Sequence, residues 1–385
     1  MAQPMAKFRD GYEMPLMGLG TYKIVEQEDV NTAVDAALAA GYRLFDTAKY
    51  YHNESQLGKA FKEILPKHGL ERKDIFITTK IWPCDENNYE MTLKGVEEAL
   101  VNLQTDYIDL VLIHYPKSNG RDDTDKEQNQ QARKDMWRAL TEAKNKGQVR
   151  SIGVSNFEPT HILELKDVSS EVPVLNQLEF HPHFTRTHIR EFCEQQGIIF
   201  QAYSALARQN EALIGEPILQ KIAEKHNVSV SIVLLSFIIS QGYSVVAKSA
   251  TPSRIAENFT ATNLKLSKEE ITEIYTLNRD KVVRDHISSQ SQITDDKYSS
   301  RLPEILAAYN LIQKEIQNQT KSPQSPSGRP DWEINVVACN DSVGRSLCPK
   351  AQLNIGEHRV ELTAEKVSEL RYTVAQLLHR LQHYT

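Results

Sequence analysis

The chain has 385 residues, 40% of them hydrophobic and 25% charged, with a formal net charge of −6 at pH 7. That is too long for one average domain, ordinary in composition for a globular protein, and of the wrong sign to favour nucleic acid or an anionic membrane as a partner. No run approaches the roughly 20 apolar residues of a membrane span.

From Asp10 onward the chain reads as repeated strand-then-helix units. A first strand over 16–21 leads to a helical pattern at Val30, Val34, Ala37 and Leu38. The stretch Gly41-Tyr42-Arg43-Leu44-Phe45-Asp46-Thr47-Ala48-Lys49-Tyr50-Tyr51 is an apolar run that ends in an aspartate and opens into a polar loop. A helix through Leu57, Phe61 and Leu65 ends near Pro66, and a strand over 76–80 delivers Lys80. Met91, Leu93, Val96, Leu100 and Leu103 give the next helix, and a strand over 110–114 delivers His114. An excursion over 117–134, dense in Asp, Gln and Asn, reads as a solvated insertion. Further strands follow over 151–156, 175–181, 198–204 and 244–249, separated by helical patterns such as Ile218, Ile222, Ile232 and Leu235. Eight strand–helix units predict a closed (β/α)8 barrel over residues 1–280, with its site at the C-terminal ends of the strands. A doubly wound sheet would want a Gly-x-Gly-x-x-Gly turn after its first strand, and none is present.

Composition changes after Asp280. Residues 281–329 comprise a polar segment, a helix through Leu302, Ile305, Leu306, Tyr309, Ile312 and Ile316, and a Pro/Ser-rich linker over 320–330. Residues 330–385 read as a small α+β unit. Strands are expected over 330–336, 350–355 and 358–362, then a helix with Val367, Leu370, Val374, Leu377, Leu378 and Leu381 on one stripe. A unit of this size hardly buries its own apolar surface, so pairing with another chain is expected.

Asp46, Tyr51, Lys80 and His114 stand at or just beyond successive strand ends. Read separately they are a helix N-cap, a surface lysine and a satisfied core histidine beside a loop tyrosine. Together they are a proton-transfer set, because a buried cation beside a phenol lowers the phenol's pKa. In this order and spacing they resemble the catalytic tetrad of the aldo-keto reductases. The resemblance covers about 7–280 and implies an NADPH-dependent reductase of aldehydes and ketones. Tyr51 would be the general acid, Lys80 its activator, Asp46 the orienter of Lys80, and His114 the group that positions the carbonyl.

The same resemblance implies cofactor contacts at Gly20, Thr21, Asp46, Ser155, Asn156, Gln177, Tyr203, Ser204 and Leu206. At the 2′-phosphate and adenine end it implies Lys248, Ser249, Arg254, Glu257 and Asn258. Two cations, a hydroxyl and a helix N-terminus there independently suit a phosphate. Two departures from the family pattern are Ala247, where proline usually precedes the lysine, and Ala205-Leu206-Ala207, in place of a Pro-Leu-Gly-like turn. Tyr22, Trp82 and Tyr115 fall at the positions of the family's aromatic substrate pocket, and 117–134 falls where the family has a substrate-covering loop, a reading that weighs equally with the solvated insertion. His181-Pro182-His183 looks like a metal pair without a third ligand, so no metal is expected.

In the tail, Trp332, Arg345-Ser346-Leu347-Cys348-Pro349 and Glu369-Leu370-Arg371-Tyr372 resemble a COMM domain. That resemblance implies a COMM-domain partner or self-association through 330–385. A second function follows from it, an interaction scaffold whose barrel binds NADP(H) as a sensing or structural platform. The N-terminus Met1-Ala2-Gln3-Pro4-Met5-Ala6-Lys7 lacks a signal-peptide core, and Cys84, Cys193, Cys339 and Cys348 are too scattered for a disulfide framework. Both features point to a cytoplasmic chain with free thiols.

Overall fold

The computed structural model describes residues 3–282, 336–337, 350–355 and 358–363. The chain divides into two compact units, Met1–Ile287 and Ser288–Thr385.

In the first unit eight parallel strands close into a barrel. They are β3 (Met17–Gly20), β4 (Leu44–Asp46), β5 (Phe76–Ile81), β6 (Ile108–Ile113), β7 (Val149–Ser155), β8 (Leu175–Glu179), β9 (Ile199–Tyr203) and β10 (Ser244–Lys248), and β10 returns to pair with β3. Closure excludes the doubly wound alternative. All eight predicted strands are present, because strands buried on both faces read as apolar runs that a helix period does not fit.

Ahead of the barrel lies a hairpin absent from the sequence reading, β1 (Met5–Lys7) and β2 (Glu13–Pro15). Its Met14 is fully buried with Leu44, Leu110, Leu112, Leu175 and Val246, the inward residues of the barrel strands. Asp10 at the hairpin turn accepts from Ser151 Oγ at 2.8 Å, fastening the hairpin to β7. Three-residue strands give too short a pattern to be seen in sequence. The barrel interior is filled by bulky apolar side chains at this end. A Cβ on Gly18 would lie 2.6 Å from Leu44 Cγ, so only glycine fits opposite that leucine.

The helices form the outer ring, and the larger apolar cluster lies between them and the strands. Helix α1 (Gln27–Ala40) buries the expected Val30, Val34, Ala37 and Leu38, and α2 (Glu54–Ile64) buries Leu57 and Phe61. In α3 (Asn88–Leu103) the predicted stripe is rotated: Met91 is exposed, and Thr92, Gly95, Val96, Ala99 and Leu103 face inward. Gly95 lets this helix approach Ile81, so close packing outranks side-chain size there. The excursion read over 117–134 is half helix, since α4 runs Lys126–Asn145. Its polar first turns hid it from a hydrophobic-period reading.

Next come α5 (Pro159–Glu164), α6 (Thr187–Gln196), α7 (Glu211–Ile214), α8 (Pro217–His226) and α9 (Val230–Ile239). The last two, read from Ile218 to Leu235, are separate helices bent 90° apart. Among the described residues no single helix is long and apolar enough to cross a membrane. Helices α10 (Pro252–Phe259) and α11 (Lys268–Tyr275) complete the ring. Cys84 and Cys193 are free thiols, and burial pushes Cys193 up to about 12.

In the second unit an antiparallel sheet has the order β11 (Val336–Val337), β12 (Lys350–Ile355) and β13 (His358–Thr363). The helix expected through Leu302 to Ile316, the linker over 320–330, Trp332, and the final helix from Val367 to Leu381 lie outside the described residues. The COMM-like reading depends on them.

Candidate active site

Residues 44 and 46 of β4, and 76, 78 and 80 of β5, point into the barrel by the two-residue alternation of a strand. Asp46 and Lys80 therefore meet inside its upper end, with Lys80 fully buried. Lys80 Nζ lies 2.6 Å from Asp46 Oδ1, donates to Thr47 O at 2.8 Å, and reaches Tyr51 Oη at 3.3 Å. Burial pushes the lysine pKa down, and the Asp46 carboxylate pulls against that shift. The second Asp46 oxygen accepts from Gln177 Nε2 at 2.8 Å. The buried pair is thus satisfied on both sides, which a charge in this environment requires.

Tyr51 is held from behind. It ends a 3-10 turn, Lys49–Tyr51, with Lys49 paired to Glu98 at 2.5 Å. Two residues later Asn53 is fully buried. Its amide donates to Thr21 O at 2.9 Å and Ile24 O at 2.8 Å, and its oxygen accepts from Thr47 Oγ1 at 2.6 Å. Asn53 therefore staples the loop after β3 to the loop after β4, which brings the Tyr22 ring 5.0 Å from the Tyr51 ring. The sequence reading missed this residue. Its signal was an asparagine in the same polar loop, but only its burial reveals the role.

His114 follows β6 directly. Its N–H donates to Ile81 O at 2.8 Å, and its carbonyl accepts from Asn156 Nδ2 at 3.0 Å. The imidazole lies 5.7 Å from the Tyr51 ring and 4.7 Å from the Trp82 ring, centroid to centroid. Tyr115 stacks on Trp82 at 5.5 Å, with the planes 8° apart. Trp82 Nε1 is buried without an acceptor among the described residues. Tyr50, also unanticipated, lies 5.3 Å from Trp82 and is half exposed. The predicted tetrad and the predicted aromatic residues thus pack together at one end of the barrel.

The residues expected at the cofactor stand around the same strand ends. Gly20 ends β3, and Thr21 Oγ1 donates to Asp46 O at 3.0 Å. Ser155 Oγ donates to Gln177 O at 2.9 Å. Asn156 adopts a left-handed φ of 64° and accepts from Tyr203 Oη at 2.7 Å. Gln177 gives both amide hydrogens to Asp46 and to Gln201 Oε1, the latter at 2.6 Å, so its carbonyl oxygen is what remains for a ligand. Beyond β9 the loop bearing Leu206 is strained. Ser204, Ala207, Arg208 and Gln209 all have positive φ, which costs about 1–2 kcal/mol per non-glycine residue.

On the other flank Lys248 is exposed at the end of β10 and Ser249 Oγ accepts from Thr251 N at 3.1 Å. Arg254 is exposed on α10, where Asn258 is buried and Glu257 accepts from Ser229 Oγ at 2.7 Å. These cations, with the first turn of α10, form a donor set that fits a phosphate. His181 and His183 are bound to different carboxylates, Glu179 at 3.2 Å and Glu216 at 2.7 Å.

Residues 16–279 match the Aldo/keto reductase family. Glyoxal reductase of Bacillus subtilis (strain 168) is 40% identical over 277 residues, which are 72% of this chain and 94% of that protein. The crystal structure of an aldo/keto reductase from Brucella melitensis shares 39% identity at a TM-score of 0.64, covering 72% of this chain and 100% of that one. A Gox0644 variant solved in complex with NADPH shares 34% identity at a TM-score of 0.64, covering 72% of this chain and 95% of that one.

Proposed function

The chain belongs to the aldo/keto reductase family, and we propose that it reduces aldehydes and ketones to alcohols with NADPH, Tyr51 supplying the proton. The observation that supports this most is the placement of Lys80 Nζ between Asp46 and the Tyr51 hydroxyl in a buried strand end. When bound, NADPH supplies the hydride that reduces the carbonyl carbon. The chain's own task is then to meet the charge that develops on the carbonyl oxygen. Tyr51 Oη donates its proton to that oxygen. The Lys80 ammonium, 3.3 Å away, stabilises the phenolate that remains. Asp46 keeps Lys80 charged in spite of its burial. His114 orients the carbonyl, its backbone pinned at both N–H and C=O. Trp82 Nε1, a buried donor lacking an acceptor, offers a second bond to a substrate oxygen.

In this reading Ser155, Asn156 and Gln177 would hold the carboxamide and Tyr203 would stack on the nicotinamide. Gly20, Thr21, Ser204 and Leu206 would contact the same end, and Lys248, Ser249, Arg254, Glu257 and Asn258 would hold the adenosine end. Tyr22, Trp82 and Tyr115 wall the substrate. The scaffold reading of the tail, with a COMM-type partner, is separate and makes no demand on a proton donor.

Turnover of an aromatic aldehyde followed by NADPH absorbance tests the assignment. Tyr51→Phe keeps the ring and loses the proton, so turnover is expected to fall by orders of magnitude with NADPH binding nearly intact. Parent-like turnover in that variant overturns Tyr51 as the acid. A parent chain that reduces no carbonyl hands the function to the scaffold reading.

A further inference from the structure

The loop between β6 and α4 carries Tyr115 against Trp82 and is fastened on both sides. Toward the Trp82 loop, Ser118 Oγ donates to Asp85 Oδ1 and Arg121 Nη2 donates to Asp85 O. Gly120 comes so near that a Cβ there would lie 2.4 Å from Asp85 Oδ2. Toward the helices, Asn129 Nδ2 donates to Asp122 O at 2.8 Å. Arg133 on α4 is buried, 5% exposed. It gives Nε and Nη2 to Glu164 Oε2 at 2.9 and 2.6 Å, and Nη1 to Pro116 O at 2.9 Å.

The position of that last bond matters. His114, two residues earlier, is held by Ile81 O and Asn156, independently of Arg133. Arg133 fixes the backbone at Pro116. Between the two sits Tyr115, whose ring covers Trp82. Arg133 therefore holds the backbone on the C-terminal side of Tyr115 without touching the groups that carry the proton. A buried guanidinium that reaches both a carboxylate and a backbone carbonyl uses its planar fork for both, which a lysine cannot do.

We infer that Arg133 is a positioning residue for substrate selectivity: through Pro116 O it holds Tyr115 and Trp82 as a built-in wall that favours large flat carbonyl substrates over small ones. The inference rests on the substrate pocket proposed above. An aromatic aldehyde held at Tyr51, His114 and Trp82 extends to the Tyr115 ring, while glyoxal, with two carbons, meets the first three and stops short of that ring.

The test uses the full chain with benzaldehyde and glyoxal as paired substrates. Arg133→Lys keeps a charge for Glu164 and gives up the Pro116 bond. It is expected to raise KM for benzaldehyde about tenfold, with kcat and the glyoxal kcat/KM held within about twofold. NADPH affinity should not move. In a Tyr115→Ala background the same substitution should add nothing, since Arg133 acts through that ring. Equal losses for both carbonyls, or an additive effect in the double variant, overturn the inference as a general structural role. If Tyr115→Ala leaves benzaldehyde KM unchanged, the pocket itself is misassigned and the wall goes with it. Should Arg133→Lys fail to fold, Asn129→Ser frees the same loop at Asp122 without disturbing a charge. It is expected to shift the benzaldehyde-to-glyoxal ratio the same way, and an unchanged ratio counts against the inference.

Discussion

Asp46→Asn is the perturbation that interrogates the centre of the site most directly. The substitution is isosteric, but it removes the charge 2.6 Å from Lys80 Nζ. It also leaves an amide that can offer its oxygen to Lys80 or to Gln177 and not to both. At that separation and an effective dielectric of about 20, the bare attraction is about 6 kcal/mol. Removing one partner of a buried pair costs about 3–5 kcal/mol net. Lys80 has an escape, however, because burial already pushes its pKa down and, without Asp46, nothing comparable opposes that shift. Shedding the proton of an ordinary lysine costs about 1.4 kcal/mol per pH unit below about 10.4, which caps the loss near ~5 kcal/mol at pH 7 and ~2 kcal/mol at pH 9. The sign follows from linkage. The folded pKa of Lys80 lies below its unfolded value, so the unfolded chain binds more protons and stability rises with pH across the interval between them. Urea unfolding of parent and variant, followed by circular dichroism at pH 7 and pH 9, should give a penalty that shrinks by about half or more at the higher pH. A penalty equal at both pH values would refute the account of Lys80 as a cation kept charged by Asp46.

Two other outcomes are expected. Arg254→Met should weaken NADPH by about tenfold and leave NADH almost unaffected, measured by fluorescence titration; equal losses would mean that Arg254 does not meet the 2′-phosphate. His161 is held down to about 4 by burial and by the Arg133 charge, with Nδ1 accepting from Glu158 N at 3.2 Å. Its stabilisation is fully present above the ordinary histidine pKa of 6.5 and is lost as pH falls towards 4, by at most about 3 kcal/mol. His161→Asn should flatten the pH dependence of unfolding across that window, and an unchanged slope would place the acid sensitivity elsewhere.

Much of this was legible without coordinates. A parallel strand buried on both faces has to be an apolar run, and the residue that follows it has to emerge at the rim of the barrel. Asp46, Lys80 and His114 could therefore be placed at one end from pattern alone, and Tyr51 by its distance along the loop. The cluster of Lys248, Ser249, Arg254 and a helix start was legible too, because these residues are local in sequence. Only the tertiary structure could decide what depends on contacts between distant segments. The β1–β2 hairpin is too short to carry a period, and its role is visible only where Met14 meets the inner strand residues. The rotation of α3 is set by Gly95 against Ile81, a contact that no hydrophobic stripe encodes. Asn53 and Arg133 look like ordinary polar residues in sequence. Each becomes a positioning device because burial removes water as a competitor and leaves specific carbonyls from elsewhere in the chain as their partners. Residue type and spacing therefore determined which chemical groups stand at the strand ends, whereas the geometry that holds them was decided by which distant backbone groups needed a donor once the barrel closed.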